Sequence, residues 1–291
     1  MNYFHLRYPG GKFKALTFSY DDGCKADERF IEILNKYGLK ATLNINSNYI
    51  PFTEESEYAK NRASFKALKS FLENGHELAV HGASHVANGK MNVQDGIANT
   101  LLGRRGIENA FNTIIRGMAY PDSGVTNCSY PVTKEKIFEY LEDVGISYAR
   151  SLGGDNDKFL LPNNWYEWVP TAHFLNKNLF DYLQEFLDLE IPAYNAARGP
   201  KLFYVWGHAY EFDQKNLWGE LERFCKLASS KDDIWYATNI EICDYVNAYA
   251  SLIFNIDKNI CYNPTVKTIW FEAFGKVNKI EPGETLYFEE K

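Results

Sequence analysis

The sequence predicts an α/β fold, a distorted (β/α)7-type barrel that is closed or nearly closed, with a small C-terminal antiparallel β appendage. Three features of the chain predict it. Short apolar runs alternate with amphipathic helical stretches about seven times, the pattern of a parallel sheet curling toward a barrel. Glycines stand where several of those helices should end. After about residue 250 the pattern changes to short alternating runs broken by turn residues.

The first unit is the mostly apolar KALTFSY (14–20), the loop DDG and a helical pattern in ADERFIEILNKYG, where Phe30, Ile31 and Leu34 share one face. LKATLNI (39–45) leads to a helix through ASFKALKSFLENG. HELAV (76–80) leads to a helix within VQDGIANTLLGRRGIENAFN, and IRGMAY (115–120) to one in KEKIFEYLEDVG. Gly38, Gly75 and Gly145 stand at the C-terminal cap positions of these helices. After SYARS come a polar loop, a short YEWVP segment, a helix around LFDYLQEFLD, the strand KLFYVWG (201–207), the helix LWGELERFCKLA and a last strand near IWYAT. SLIFNI, NICYNP, TIWFEAFG and EPGETLYFEE then read as the appendage, so the expected division is a barrel over 1–249 and an appendage over 250–291 packed on it. No internal repeat or low-complexity tract interrupts this order.

A chain of 291 residues with 45% hydrophobic and 16% aromatic content buries one large core, and a single barrel domain commonly has this length. Lysine and arginine total 31 against 38 acidic residues, a net charge of −7 with no block of like charge. That balance argues against nucleic acid or an anionic membrane surface as the partner. The opening MNYFHLRYPGGKFK lacks the apolar core of a secretory signal, and no segment approaches the ~18–20 apolar residues that span a bilayer, so the expectation is a soluble, cytoplasmic chain. Cys24, Cys128, Cys225, Cys243 and Cys261 are odd in number and widely spaced, which argues against a disulfide framework or a thiolate zinc site. Oligomeric state is not encoded in any of these features.

In an α/β barrel the reactive groups gather at the carboxyl ends of the strands, where the loops converge on one mouth. Asp21 and Asp22 follow the first strand, His81 follows HELAV with His85 four residues on, Tyr120 ends IRGMAY, and His208 follows KLFYVWG. Two imidazoles and one carboxylate hold a divalent cation and leave positions open for water and substrate; Asp22, His81 and His85 supply that set. Zinc is the first expectation, and cobalt, manganese and nickel accept the same donors. An attacking water needs a base and a leaving amine needs an acid. Asp21, next to a ligand, suits the base, and His208 across the rim suits the acid.

SYDDG (19–23), HGASH (81–85) and WGHAYEF (206–212), in this order, resemble the motifs of the polysaccharide deacetylase family, also called carbohydrate esterase family 4, over roughly residues 14–245. The resemblance implies a metal-dependent deacetylase with a distorted barrel of about seven strands, which agrees with the barrel rules. It implies that Asp21 is the base, that Asp22, His81 and His85 bind the metal, and that His208 is the acid. The chain departs from the third motif: GMAYPDSG (117–124) lacks the arginine that orients the base. Arg116 or Arg150 is expected to replace it, with the backbone near Tyr120 offering an oxyanion N–H. The fourth motif is approximated by GGDNDKFLLPNNWYEW (153–168), with Trp165 or Trp168 as a sugar-stacking wall.

Taken alone, Asp-Asp-Gly is more often a turn, and each histidine more often an ordinary hydrogen-bonded residue. His76, at the start of a strand, reads as structural; His173 is undecided; His5 reads as a surface residue; and Trp206, inside its strand, reads as core. The leading expectation is hydrolysis of an N-acetyl group on a sugar or oligosaccharide. Hydrolysis of an O-acetyl ester or a non-sugar amide, and a sugar-binding homologue without catalysis, remain open beside it.

Overall fold

Alternation along KALTFSYD decides how the chain folds around itself. In strand β2 (Lys14–Asp21) Leu16, Phe18 and Tyr20 point outward to the helices, while Ala15, Thr17, Ser19 and Asp21 point into the barrel; every residue of the strand is buried. Both faces are covered, as parallel strands require. The computed structural model describes residues 4–152 and 159–288. β1 (Phe4–Arg7) precedes β2, and the chain continues with α1 (Asp27–Lys36), β3 (Ala41–Ile45), α2 (Phe65–Glu73), β4 (Glu77–Val80), α3 (Val93–Phe111), β5 (Gly117–Ala119), α4 (Lys134–Asp143), β6 (Tyr148–Arg150), β7 (Ala172–His173), α5 (Leu179–Asp188), β8 (Lys201–Gly207), α6 (Tyr210–Gln214), α7 (Trp218–Ala228), β9 (Ile234–Tyr236) and α8 (Asn239–Ala250). β10 (Ile253–Phe254), β11 (Ile260–Tyr262), β12 (Ile269–Ala273), β13 (Lys276–Ile280) and β14 (Thr285–Tyr287) form the last segment.

Seven parallel strands run in the order β6-β5-β4-β3-β2-β8-β7, and β9 also pairs with the start of β2. The two end strands nearly meet: Trp168 bridges Arg150 of β6, and four residues later Ala172 pairs with Val205 of β8. This is the distorted seven-stranded barrel expected from the sequence. Its helices start where the sequence caps them: Ser64, Asn92 and Thr133 each accept a backbone N–H of the first turn of α2, α3 and α4. Gly38, Gly75 and Gly145 follow their helices with φ of 65°, 75° and 72°.

The outward faces of the strands and the inner faces of α1 to α7 make one apolar cluster. A second cluster fills the barrel's lower interior with Ala15, Tyr148, Trp168, Leu202 and Tyr204, and continues through α8 into the terminal strands. α8 is not apparent in the sequence as an amphipathic stripe, because it is wedged between the barrel base and the small sheets and is apolar on several sides. Its signal is Thr238-x-x-Glu241, which forms a complete capping box. The short YEWVP segment contains a single 3-10 turn, Trp165–Glu167, and the strand of that region is β7. Phe4–Arg7 pairs antiparallel with β12, so the small sheet draws on both ends of the chain. Half-buried His5 lies in that strand. Among the described residues no helix is long and apolar enough to cross a membrane.

Candidate metal centre and active site

The DDG loop closes β2 with an unusual turn. Asp22 sits at φ 78°, a left-handed conformation that aspartate tolerates better than most residues and that cost concentrates at functional sites. Gly23 follows at φ 60°, and a Cβ there would come within 2.8 Å of Ile45 Cγ2. The turn is clamped from outside. Ala63 N–H donates to Gly23 O at 2.9 Å, Lys25 N–H to Asn61 O at 2.9 Å, and the Arg62 guanidinium to Asp22 O.

His81 leaves the end of β4 fully buried, with its Nδ1 2.9 Å from Ala119 O. A carbonyl oxygen only accepts, so Nδ1 carries the proton and Nε2 presents a lone pair toward the mouth. Burial, opposed by Asp21 and Asp22, leaves this imidazole less basic than usual, in the neutral form a cation needs. His85 hangs from a loop, not a helix, that is held by Ala83 N–H on Asn99 O and Ser84 N–H on Asn99 Oδ1. Its Nε2 lies 3.5 Å from Asp22 Oδ1, and His81 Nε2 lies 3.9 Å from the same oxygen. These separations exceed hydrogen bonds and fit two ligands on one small cation, which stand roughly 3.4 Å apart around tetrahedral zinc. The chemistry of the three donors therefore fits the group. Asp122 Oδ2 stands 3.7 Å from His85 Nδ1, the outer nitrogen.

Asp21 is buried beside this cluster. Arg150, itself wholly buried, donates to Asp21 Oδ2, and Asn44 Nδ2 donates to Asp21 Oδ1 at 2.9 Å. Burial alone would raise the carboxyl, but the Arg150 charge, with His81 and His208, outweighs it and holds Asp21 below the usual carboxylate range. Arg150 also lies 4.4 Å over the Trp206 ring. The guanidinium that meets Asp21 thus comes from β6, one strand over, and not from the GMAYPDSG segment. Arg116 does not reach the site. It lies one residue before β5, at the amino end of the barrel, and makes two bonds of 2.8 and 2.7 Å to Asp244.

Tyr120 is committed elsewhere as well. Its N–H donates to Arg150 O at 3.0 Å and its buried hydroxyl to Tyr166 O at 2.9 Å, so neither is free for an oxyanion. Trp168 is wholly buried between Tyr148 and Tyr204, and half-buried Trp165 packs edge-on against it at 4.9 Å, so the expected sugar-stacking wall is inner core. Residues 153–158 of that fourth-motif segment lie outside the described residues. Trp206, expected in the core, is half-buried at the mouth, edge-on to His173 at 4.5 Å. His76 is structural as expected: Ala41 N–H donates to its Nδ1 at 3.1 Å and Asn35 Oδ1 lies 2.9 Å from Nε2.

Half-buried His208 begins the loop after β8, with Glu211 on the first turn of α6 and His173 of β7 beside it. Burial lowers its basicity, but Glu211, Asp21 and Asp22 reverse the sign and raise it above an ordinary histidine. Asn44, His173, Trp206 and Glu211 were not singled out as site residues from the sequence. Only Glu211 carried a local signal, its i+3 spacing from His208. Beside Asp22 opens a cavity of about 390 Å³ lined by Cys24, Glu57, Tyr58, Asn61, Arg62 and Tyr210.

At its carboxyl rim the seven-stranded parallel barrel thus brings together two imidazoles, a carboxylate and a buried, arginine-held aspartate. The family model for polysaccharide deacetylase matches residues 6–141 of this chain. The matched span contains Asp21, Asp22, His81 and His85 and ends before Arg150 and His208. The fold is that of a Mycobacterium smegmatis protein described as a polysaccharide deacetylase (TM-score 0.57, 16% identity, 84% of this chain and 94% of that one). It is equally that of Puue allantoinase (TM-score 0.58, 13% identity, 85% and 94%). The Streptococcus pyogenes deacetylase PplD, solved with acetate, aligns over 47% of this chain at 15% identity and TM-score 0.40, and the chain spans 55% of its length. No curated protein matches the sequence.

Proposed function

We propose that this chain is a metal-dependent hydrolase that removes an acetyl group from an N-acetylated sugar or oligosaccharide. The observation that carries the reading is one rim that sets the ligand atoms of Asp22, His81 and His85 beside the ionised, arginine-held carboxylate of Asp21. A divalent cation on those three residues, zinc or else cobalt, manganese or nickel, supplies a Lewis acid for the acetyl carbonyl and makes a water more acidic. Asp21 takes the proton of the attacking water. Arg150 and Asn44 hold its two oxygens in place, so the carboxylate is oriented before substrate arrives. His208 gives a proton to the departing nitrogen, and its raised basicity keeps that proton available nearer neutral pH. The amide C–N bond breaks, water adds across it, and acetate and a free amine leave. The 390 Å³ cavity beside Asp22, with Tyr58, Asn61, Glu57 and Arg62 on its walls, has room and hydrogen-bonding groups for a sugar ring.

Acetate release from a panel of N-acetylated sugars, by chelator-stripped protein before and after a divalent metal is returned, tests this reading. Metal-restored release is expected. Asp21→Asn should reduce it by about 10²–10⁴-fold while calorimetry still finds the ion bound; near-normal release would remove Asp21 from the base role. The fold shared with an allantoinase favours hydrolysis of a non-sugar amide as the second reading, so O-acetylated sugars and non-sugar amides belong in the same panel. Silence across the panel with metal bound would overturn catalysis and leave a sugar-binding homologue.

A further inference from the structure

His173, His208 and Glu211 face the cation site across the mouth and match it in composition, with ligand atoms all within 4.8 Å of one another. Composition alone would make them a second site of two imidazoles and one carboxylate. The hydrogen bonds argue otherwise. Leu175 N–H donates to His173 Nδ1 at 3.0 Å, so in the neutral ring, which burial favours, the single proton sits on Nε2. That nitrogen faces Glu211 Oε2 at 3.4 Å and has no lone pair to offer a cation. His81 is the opposite case, with its proton on Nδ1 and Nε2 bare.

Glu211 is held in place on two sides, by His173 Nε2–H and by the His208 backbone N–H, 3.3 Å from Oε2. Its other oxygen stands 3.7 Å from His208 Nδ1, a buried atom without a hydrogen-bond partner among the described residues. Catalytic contacts are often long in the unliganded site and tighten only when substrate binds.

We propose that Glu211 is a positioning residue that accepts the Nδ1–H of His208, fixing the tautomer in which Nε2 exchanges the proton, and that His173 in turn positions Glu211. The proposal rests on the reading of His208 as the acid. The charged and titratable groups around that imidazole are Glu211 and Tyr210 of α6, His173 of β7, and Asp21 and Asp22 at the end of β2; Arg150 is bonded to Asp21 and lies over the Trp206 ring. Among them Glu211 is the carboxylate on the Nδ1 side.

Long-range ¹H–¹⁵N spectra of the zinc-loaded full chain, titrated with pH, test it without turnover. His208 should show its proton on Nδ1 and His173 on Nε2. Glu211→Gln should lower the His208 midpoint by about one pH unit, Glu211→Asp should restore part of that shift, and His173→Gln should give a smaller shift of the same sign. Should Glu211→Gln fail to fold, the other two variants carry the same readout. One zinc should bind per chain in the wild type and in Glu211→Gln alike. With an active substrate, Glu211→Gln should cut kcat about tenfold and leave KM unchanged. An unmoved His208 midpoint, or a second zinc lost with Glu211→Gln, would overturn the assignment. Failure of every substrate to release acetate would overturn the hydrolase reading alone, because the tautomers and midpoints do not depend on it.

Discussion

Asp21 shows how a single side chain is tuned by neighbours far away in sequence. Burial pushes this carboxyl up, and the partner that does most to bring it down comes from β6, 129 residues on. Replacing Arg150 with Met should therefore raise the Asp21 pKa. The base works only when ionised, so activity falls as pH drops through that pKa, and the acid limb of kcat/KM should move upward in the variant. The substitution also strands a buried charge, with an expected cost of about 3 kcal/mol, so urea unfolding should be run beside the kinetics. An unmoved acid limb in folded protein would dissociate Arg150 from the base.

At the scale of elements, the connection from α2 to β4 depends on a neutral histidine. His76 accepts the Ala41 N–H of β3, and burial, with Lys40 adding to it, pushes its pKa down to about 4. An unfolded histidine takes up its proton near pH 6.5, so the unfolded state binds more protons between about 6.5 and 4. The stabilisation from this residue is complete above that window and is lost as pH falls through it. The two pKa values place the loss at about 3 kcal/mol. Urea midpoints at pH 7.5 and 4.5 should differ less in His76→Gln than in the wild type; equal pH dependence in both would show that other groups control acid unfolding.

For the whole molecule, the terminal strands close the bottom of the barrel. Leu6 and Tyr8 near the amino end, Tyr245 and Ala248 of α8, and Ile269, Phe271 and Ile280 of the small sheet share one apolar cluster with Trp168 and Tyr204. Tyr245 OH joins the parts, donating to Arg7 O and accepting from Trp270 N–H. Wholly buried Arg7 is neutralised by Glu272 at 2.5 Å, and Arg198 binds the same carboxylate. A chain cut after residue 250 exposes that cluster and leaves Arg7 uncompensated. It should be recovered insoluble, or soluble with dye-binding apolar surface and no near-UV circular dichroism. A soluble truncation with native near-UV signal would show that the barrel folds without its base.

Periodicity and chemistry carried much of this protein in the sequence itself. Strand–helix alternation predicted the barrel, glycines marked helix ends, and DDG with HGASH picked out Asp21, Asp22, His81 and His85, which meet at one rim because each motif follows the carboxyl end of a parallel strand. What the sequence left open depended on pairings between distant strands. Nothing local distinguishes Arg150, which reaches Asp21, from Arg116, which faces Asp244 at the opposite end; only the direction in which each strand enters the barrel separates them. Tyr120 and Trp168 carry groups suited to a substrate, yet their burial and hydrogen bonds are fixed by β6, β8 and the Trp165–Glu167 turn. α8 escaped notice because a helix covered on several sides has no polar stripe. Local pattern decided which elements form and which groups can react, and the closure of the barrel, which fixes strand neighbours and burial, decided which of those groups meet.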